Sequence, residues 1–175
     1  MNSNDIYPSA KTALLFGLTG GFLAILQFIT LHFLDRNPLL TGKIFDIVLL
    51  LLILFFAIRY FRDYENGLRL GFLEGLKVGL LTSAILGLIS ALFVFIFLSF
   101  INPEVMEAYK AERIDFLITN QDKVLENIKP ELFEKTIEEI KSISIKDLVM
   151  DEILRKTIIG LFLSIILAIF LRKKS

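Results

Sequence analysis

The chain has 175 residues, 55% apolar by type, with 19 basic against 19 acidic side chains, one histidine and no cysteine. That composition excludes disulfides, thiol catalysis and cysteine-ligated metals. The single His32 leaves no zinc-ligand set, and a net charge of zero gives no basic footprint for nucleic acid. The apolar residues lie in long blocks separated by charged turns, which marks a multi-pass membrane protein. Residues 102–156 hold 13 acids and 9 bases, and the rest of the chain 6 acids and 10 bases. One acidic extramembrane piece is therefore joined to a mildly basic membrane part.

The first predicted span covers 12–34. It follows a short polar start with Lys11, is too long for a secretory signal core, and shows no small-x-small cleavage pattern before Asp35, so it reads as a retained helix. Gly17 and Gly21 give it a small-xxx-small packing face. Gln27 is placed to bond a neighbouring helix and His32 to sit at the headgroups near Asp35; proton handling by His32 and Asp35 is the rival reading. After the turn Asp35-Arg36-Asn37-Pro38, the second span covers 44–62. Asp46 then falls in its first turn, at the positive end of the helix dipole, and Arg59 in its last, so both read as anchors.

A return ending in Asn66-Gly67 leads into the third span, 70–101. Counted from Leu68 the apolar rod is about 51 Å long at roughly 1.5 Å per residue, against a hydrocarbon core of about 30 Å, so one end must project or tilt. Small residues recur at every fourth position: Gly71, Gly75, Gly79, Ser83, Gly87 and Ala91. A four-residue step drifts about 40° per repeat, so these positions wind around the rod and are expected to meet two neighbours or one right-handed crossing. Glu74 and Lys77 can pair on one face near the interface. Anchoring is the plain reading; the sharper one makes Glu74, Lys77 and His32 an ion- or proton-coupling set. Tyr7, Tyr60, Tyr64 and Tyr109 lie near span ends, as in an aromatic belt.

Residues 102–156 form an extramembrane helical insertion. Asn102-Pro103-Glu104 is a strong helix start. The helix it opens is amphipathic, with Met106, Tyr109, Ile114 and Leu117 on one side, and is expected to break near Thr119-Asn120. Lys110 and Arg113 fall inside its apolar stripe, which suits a helix on lipid headgroups or a packed pair with snorkelling side chains. Pro130 opens a second helix with Leu132, Phe133, Ile137 and Ile140 on one face. Ser144 and Asp147 read as a capping box, from which a helix can run into the last span, 157–172. That span is short for the layer, so Ile153 and Leu154 are expected to enter it while Arg155, Lys156 and Arg172 snorkel outward.

The fold class expected is all-α: a four-transmembrane-helix bundle with an amphipathic helical insertion between the third and fourth helices. Lys11, Arg59, Arg62, Arg69, Arg172, Lys173 and Lys174 flank the spans on the face of the termini, against Arg36 and Lys43 in the short turn on the other; the nine bases of 102–156 would reverse the count but sit mostly inside amphipathic helices of a segment near the length where the rule weakens. The termini are therefore expected in the cytoplasm and 102–156 outside it. Three pieces carry a family resemblance: Asn66-Gly67 followed by Gly71-Phe-Leu-Glu-Gly-Leu-Lys-Val-Gly79, then Phe100-Ile-Asn-Pro-Glu-Val-Met-Glu-Ala-Tyr109, then Ile159 to Arg172. Together they resemble a bacterial four-span membrane family known as domain of unknown function 4199. The resemblance implies a multi-pass protein of the cell envelope and supplies no site residues.

No phosphate loop, nucleophile with its base, or zinc-protease motif is present. No catalytic, cofactor or metal site is assigned, and an enzyme is not expected. The expected partners are the lipid bilayer and another envelope protein or a second copy, with no nucleic acid. Two functions stay in view: a structural or interaction component of the inner membrane, and a small transporter or channel subunit assembling through the glycine faces. Transporters of known type more often show paired broken helices in two halves, and no internal repeat is evident.

Overall fold

The computed structural model describes residues 6–126 and 128–173, with side chains from Pro8 onward. The side chain of Tyr7, and Lys174, lie outside the described residues. The order is α1 (Ile6–Phe33), α2 (Pro38–Tyr60) with a π-helical turn at Phe61–Glu65, α3 (Phe72–Ile96) with a second π-helical turn at Phe97–Ile101, α4 (Glu104–Thr119), α5 (Gln121–Leu125), α6 (Pro130–Ser142) and α7 (Ile145–Phe170). The protein is an all-α membrane bundle in which four helices are long and apolar enough to cross a bilayer. Their outward faces carry Phe22, Ile44, Val48, Leu88, Phe162 and Ile169, all exposed. Water does not tolerate so continuous an apolar girdle, whereas hydrocarbon does.

Two helix starts differ from expectation. α2 begins at Pro38, six residues before the expected Ile44, because Asn37 caps it by accepting from the Leu39 amide at 3.1 Å and Pro38 occupies the first helical position. Asp46 consequently lies two turns inside the helix and does not anchor its end. α3 starts only at Phe72 because Gly67 and Leu68 take left-handed backbone angles (φ +59° and +64°) in the return. Leu70 then exchanges two backbone hydrogen bonds with Lys173, 3.0 and 3.3 Å, which ties the end of the chain to this turn.

The small residues set the helix packing. α3 and α7 run antiparallel, and each four-residue step up one is matched by a four-residue step down the other. Gly75 faces Ala168, Gly79 faces Ser164, Ser83 faces Gly160, and Gly87 faces Lys156 and Ile153. The α3 stripe thus serves one neighbour. Toward α1 the roles reverse, since α3 presents Ile85 and Ile89, which fill the notches at Gly17 and Gly21. Gly71 is not part of this packing: it is the exposed N-cap of α3, and its amide donates to Glu74 at 2.7 Å. Ala91 is buried. Gly20, under Leu86 and Ile53, completes the set.

Two apolar clusters result. The first joins Leu50, Leu54 and Ile58 of α2 to Val78 and Leu86 of α3 and Leu167 of α7. The second lies toward the other end, where Phe28, Val94, Phe97 and Leu98 meet Val105, Met106 and Tyr109 of α4 and Leu148 of α7. Tyr109 is therefore a core residue, 2% exposed, and not part of an interfacial belt. α4 and α6 pack on each other over that end of the bundle. Phe133 and Ile140 of α6 are buried, while Leu132, expected on the same face, is exposed.

A Cβ at Gly79 would lie 2.7 Å from the Ser164 Cβ, whereas one at Gly42 meets nothing nearer than Leu31 Cδ1 at 3.6 Å. Gly79→Ala should therefore force α3 and α7 apart and cost about 1–3 kcal/mol, while Gly42→Ala leaves unfolding in detergent unchanged. Equal midpoints for the two variants would contradict this packing.

Candidate functional site

Between the two apolar clusters lies a layer of polar side chains drawn from all four spans, its charges supplied by α2 and α7. On α7, residues four apart share a face, and that face reads Glu152, Lys156, Gly160, Ser164, Ala168. The register that brings Gly160 and Ser164 against α3 therefore turns Lys156 and Glu152 to the bundle axis. On α2 the buried stripe Gly42, Asp46, Leu50, Leu54, Ile58 does the same for Asp46. Lys156 is 2% exposed, and Asp46 and Glu152 are 9% exposed each.

The Lys156 ammonium uses its three donors on three helices. It donates to Ser90 Oγ of α3 at 2.8 Å, pairs with Asp46 Oδ2 of α2 at 3.1 Å, and pairs with Glu152 of its own helix. Ser90 in turn donates to Glu152. The Arg155 guanidinium forks onto Asp46 Oδ2, 3.2 Å from each terminal nitrogen, and also reaches Glu152. Gln27 of α1 closes the ring, donating to Asp46 Oδ1 at 3.1 Å and to the Gly42 carbonyl at 3.3 Å. Two carboxylates thus face two cations, and the layer is neutral.

At its rim Asp151 lies 3.7 Å from Lys43 and 3.6 Å from Arg155 Nε. A cavity of about 30 Å³ is lined by Gln27, Asp46, Ser90, Glu152 and Lys156 and extends to Lys43 and Asp151. That is room for about one or two water molecules. Among the described residues no three His, Cys, Asp or Glu side chains gather to hold a metal ion.

Asp46, Arg155 and Lys156 are corrected by this geometry. The first is no helix-end anchor, and the other two turn inward. Snorkelling serves a lone charge in hydrocarbon; here opposite charges on the facing helices are nearer than the headgroups. The sequence did carry a signal for the layer, the four-residue step that runs from Ala168, Ser164 and Gly160 of α7 on to Lys156 and Glu152.

Glu74, Lys77 and His32 are not brought together. Glu74 is exposed at the start of α3, where it accepts from Gly71 N and, at 3.0 Å, from Asn66 Nδ2, so it caps the return instead of pairing with Lys77. His32 sits in the last turn of α1, at the opposite end of the bundle, with its ring centroid 5.2 Å from that of Phe97.

The chain belongs to the family described as "Protein of unknown function (DUF4199)", which matches residues 11–173. No curated protein and no solved structure matches the chain. The family assigns no role to the ion layer, so its weight has to be measured directly.

Lys156→Met leaves Asp46 and Glu152 buried with Arg155 as their one remaining cation. Breaking a buried pair from one side costs about 3–5 kcal/mol, and replacing both partners costs much less. Unfolding in detergent should therefore show a large loss for Lys156→Met and a smaller one for Glu152→Gln combined with Lys156→Met. A single variant as stable as the wild type would show that the charges are not held as described.

Proposed function

We propose that this DUF4199 protein is a structural and interaction component of the bacterial inner membrane, a four-span scaffold that presents its α4–α6 layer to another envelope protein. The observation that carries this reading is how the charges are used. Inside the bundle, Asp46, Glu152, Arg155 and Lys156 are ion-paired with one another. The α4–α6 layer, by contrast, exposes Glu131, Glu134 and Glu138 along α6. α7 runs without a break from its capping box at Ser144 through the ion layer to the far side, so the layer is mounted rigidly on the bundle. The partners are the bilayer and that second protein, with no nucleic acid.

The basic residues flanking the spans support termini in the cytoplasm and α4–α6 in the periplasm. Lys11, Arg59, Arg62, Arg69, Arg172 and Lys173 lie on the face of the termini, against Arg36 and Lys43 in the short turn on the other, the bases of the long α4–α6 insertion being left out of the count.

A small transporter or channel subunit is the second reading. Ionisable groups within membrane spans favour it, as does the water-sized cavity beside them. Assembly through the glycine faces fits less well, because Gly17, Gly21, Gly75 and Gly79 are already filled by the chain's own helices.

Two measurements separate these readings. In proteoliposomes the wild type and an Asp46→Asn, Lys156→Met double variant should both show background flux of ions and solutes; substrate-specific flux lost in the double variant would favour transport. A photocrosslinker at Glu134 should trap one defined envelope protein in living cells, and failure to trap any would remove the docking role. For sidedness, alkaline phosphatase fused after Ser175 should stay inactive, and high activity there would reverse the orientation.

A further inference from the structure

Between α4, α6 and the first turn of α2 lies a groove of about 490 Å³, a size typical of a small-molecule site. Leu40, Phe116, Leu117 and Ile140 give it an apolar wall, and Glu112 and Arg113 lie on its polar side. Leu40 belongs to the first turn of a membrane span. Ile44, Val48 and Leu52 follow it on the same face at four-residue steps, all exposed. The groove is thus the upper end of a stripe that lipid chains cover. Phe116, 66% exposed, and Ile118 extend that apolar surface onto α4. Hydrocarbon from the adjacent leaflet can enter here without crossing water.

The polar side carries a cation with no ion-pair partner among the described residues. Arg113 donates to the Tyr109 hydroxyl at 2.8 Å and stacks with its carbon 5.5 Å from the ring centroid. Tyr109 is buried, so the guanidinium is held in place. Of the neighbouring charges, Lys110 pairs with Glu107 at 3.2 Å, and Glu112, whose carboxylate lines the same groove, accepts from Asn37 Nδ2 at 3.3 Å. Among the described residues no carboxylate lies within ion-pair distance of Arg113. A guanidinium with one nitrogen bound keeps further donors in a fork that matches two phosphate oxygens.

We propose that this groove binds an anionic phospholipid of the adjoining leaflet, one acyl chain along Leu40, Phe116 and Leu117 and its phosphate on Arg113. The apolar wall supplies burial for the chain, and Arg113 supplies a charge-assisted bond at headgroup depth. This site is independent of the docking role proposed above, since a chain without a protein partner can still hold a lipid.

The chain has no tryptophan, so Phe116→Trp places a single fluorophore on the groove. The full-length variant is reconstituted in vesicles of phosphatidylcholine and phosphatidylglycerol, with brominated acyl chains on one lipid at a time. At equal mole fraction, brominated phosphatidylglycerol should quench with about fivefold preference over brominated phosphatidylcholine. Adding Arg113→Gln should abolish the preference, and adding Arg113→Lys should keep most of it, which separates loss of charge from loss of fold. Equal quenching by the two lipids, a preference that survives Arg113→Gln, or no quenching by either would each overturn the proposal.

Discussion

The bundle depends on one coincidence of register: the spacing that lets α3 and α7 touch through glycine and serine is also the spacing that sets Lys156 beside Ser90, Glu152 and Asp46. In lipid no hydrophobic drive pairs helices, so close packing and polar contacts must choose the partner and the depth of engagement. The small residues permit close approach at several heights, because the stripe repeats every four residues. The ion layer permits one. Sliding α7 by a single turn would move Lys156 from Ser90 toward Leu86 or Val94 and leave its donors in an apolar wall.

This division of labour explains why the charges sit where they do along the axis. Apolar clusters close the layer off on both sides, with Leu50, Leu54 and Leu86 on one and Phe28, Val94 and Leu148 on the other. A buried ion network contributes little net stability compared with a well-packed apolar core, but an incomplete one is costly. Its effect is therefore on specificity, since misassembled arrangements of the same four helices lose more than the correct one gains. Gln27 extends the penalty to α1 and Ser90 to α3, the two spans that bring no charge to the layer.

The fold was legible from sequence because span length, turn residues and caps are local properties. Asn66-Gly67, Asn102-Pro103, Pro130 and the Ser144-Asp147 box each mark a boundary by backbone chemistry alone, and the family resemblance agreed with them. The start of α2 was less legible, because the six residues after Asn37 form an ordinary first turn and more that hydropathy alone does not separate from a loop. The site was largely illegible. Asp46 and Arg155 look like end-of-span charges in any single window, and only the identity of the facing helix turns them into a pair. Gly75, Gly79 and Gly87 of the stripe face α7, whereas Gly71 lies where Leu70 is held by Lys173 and the helix has not yet begun.

The fixing of α7 along its length bears on how the α4–α6 layer is joined to the bundle. α7 is held at three heights: by the capping box at Ser144, by the ion layer, and by the Leu70–Lys173 bridge just beyond its end. A helix pinned at both ends and the middle transmits displacement but cannot absorb it, since its own ladder is unbroken over 26 residues. The irregular segments lie elsewhere, in the π-helical turns at Phe61–Glu65 and Phe97–Ile101, each at a membrane end of α2 or α3. π-Helical turns mark places where a helix tolerates an inserted residue and a change of direction. The α4–α6 layer therefore joins the bundle by two routes, along α7 and through the π-helical turn that joins α3 to α4.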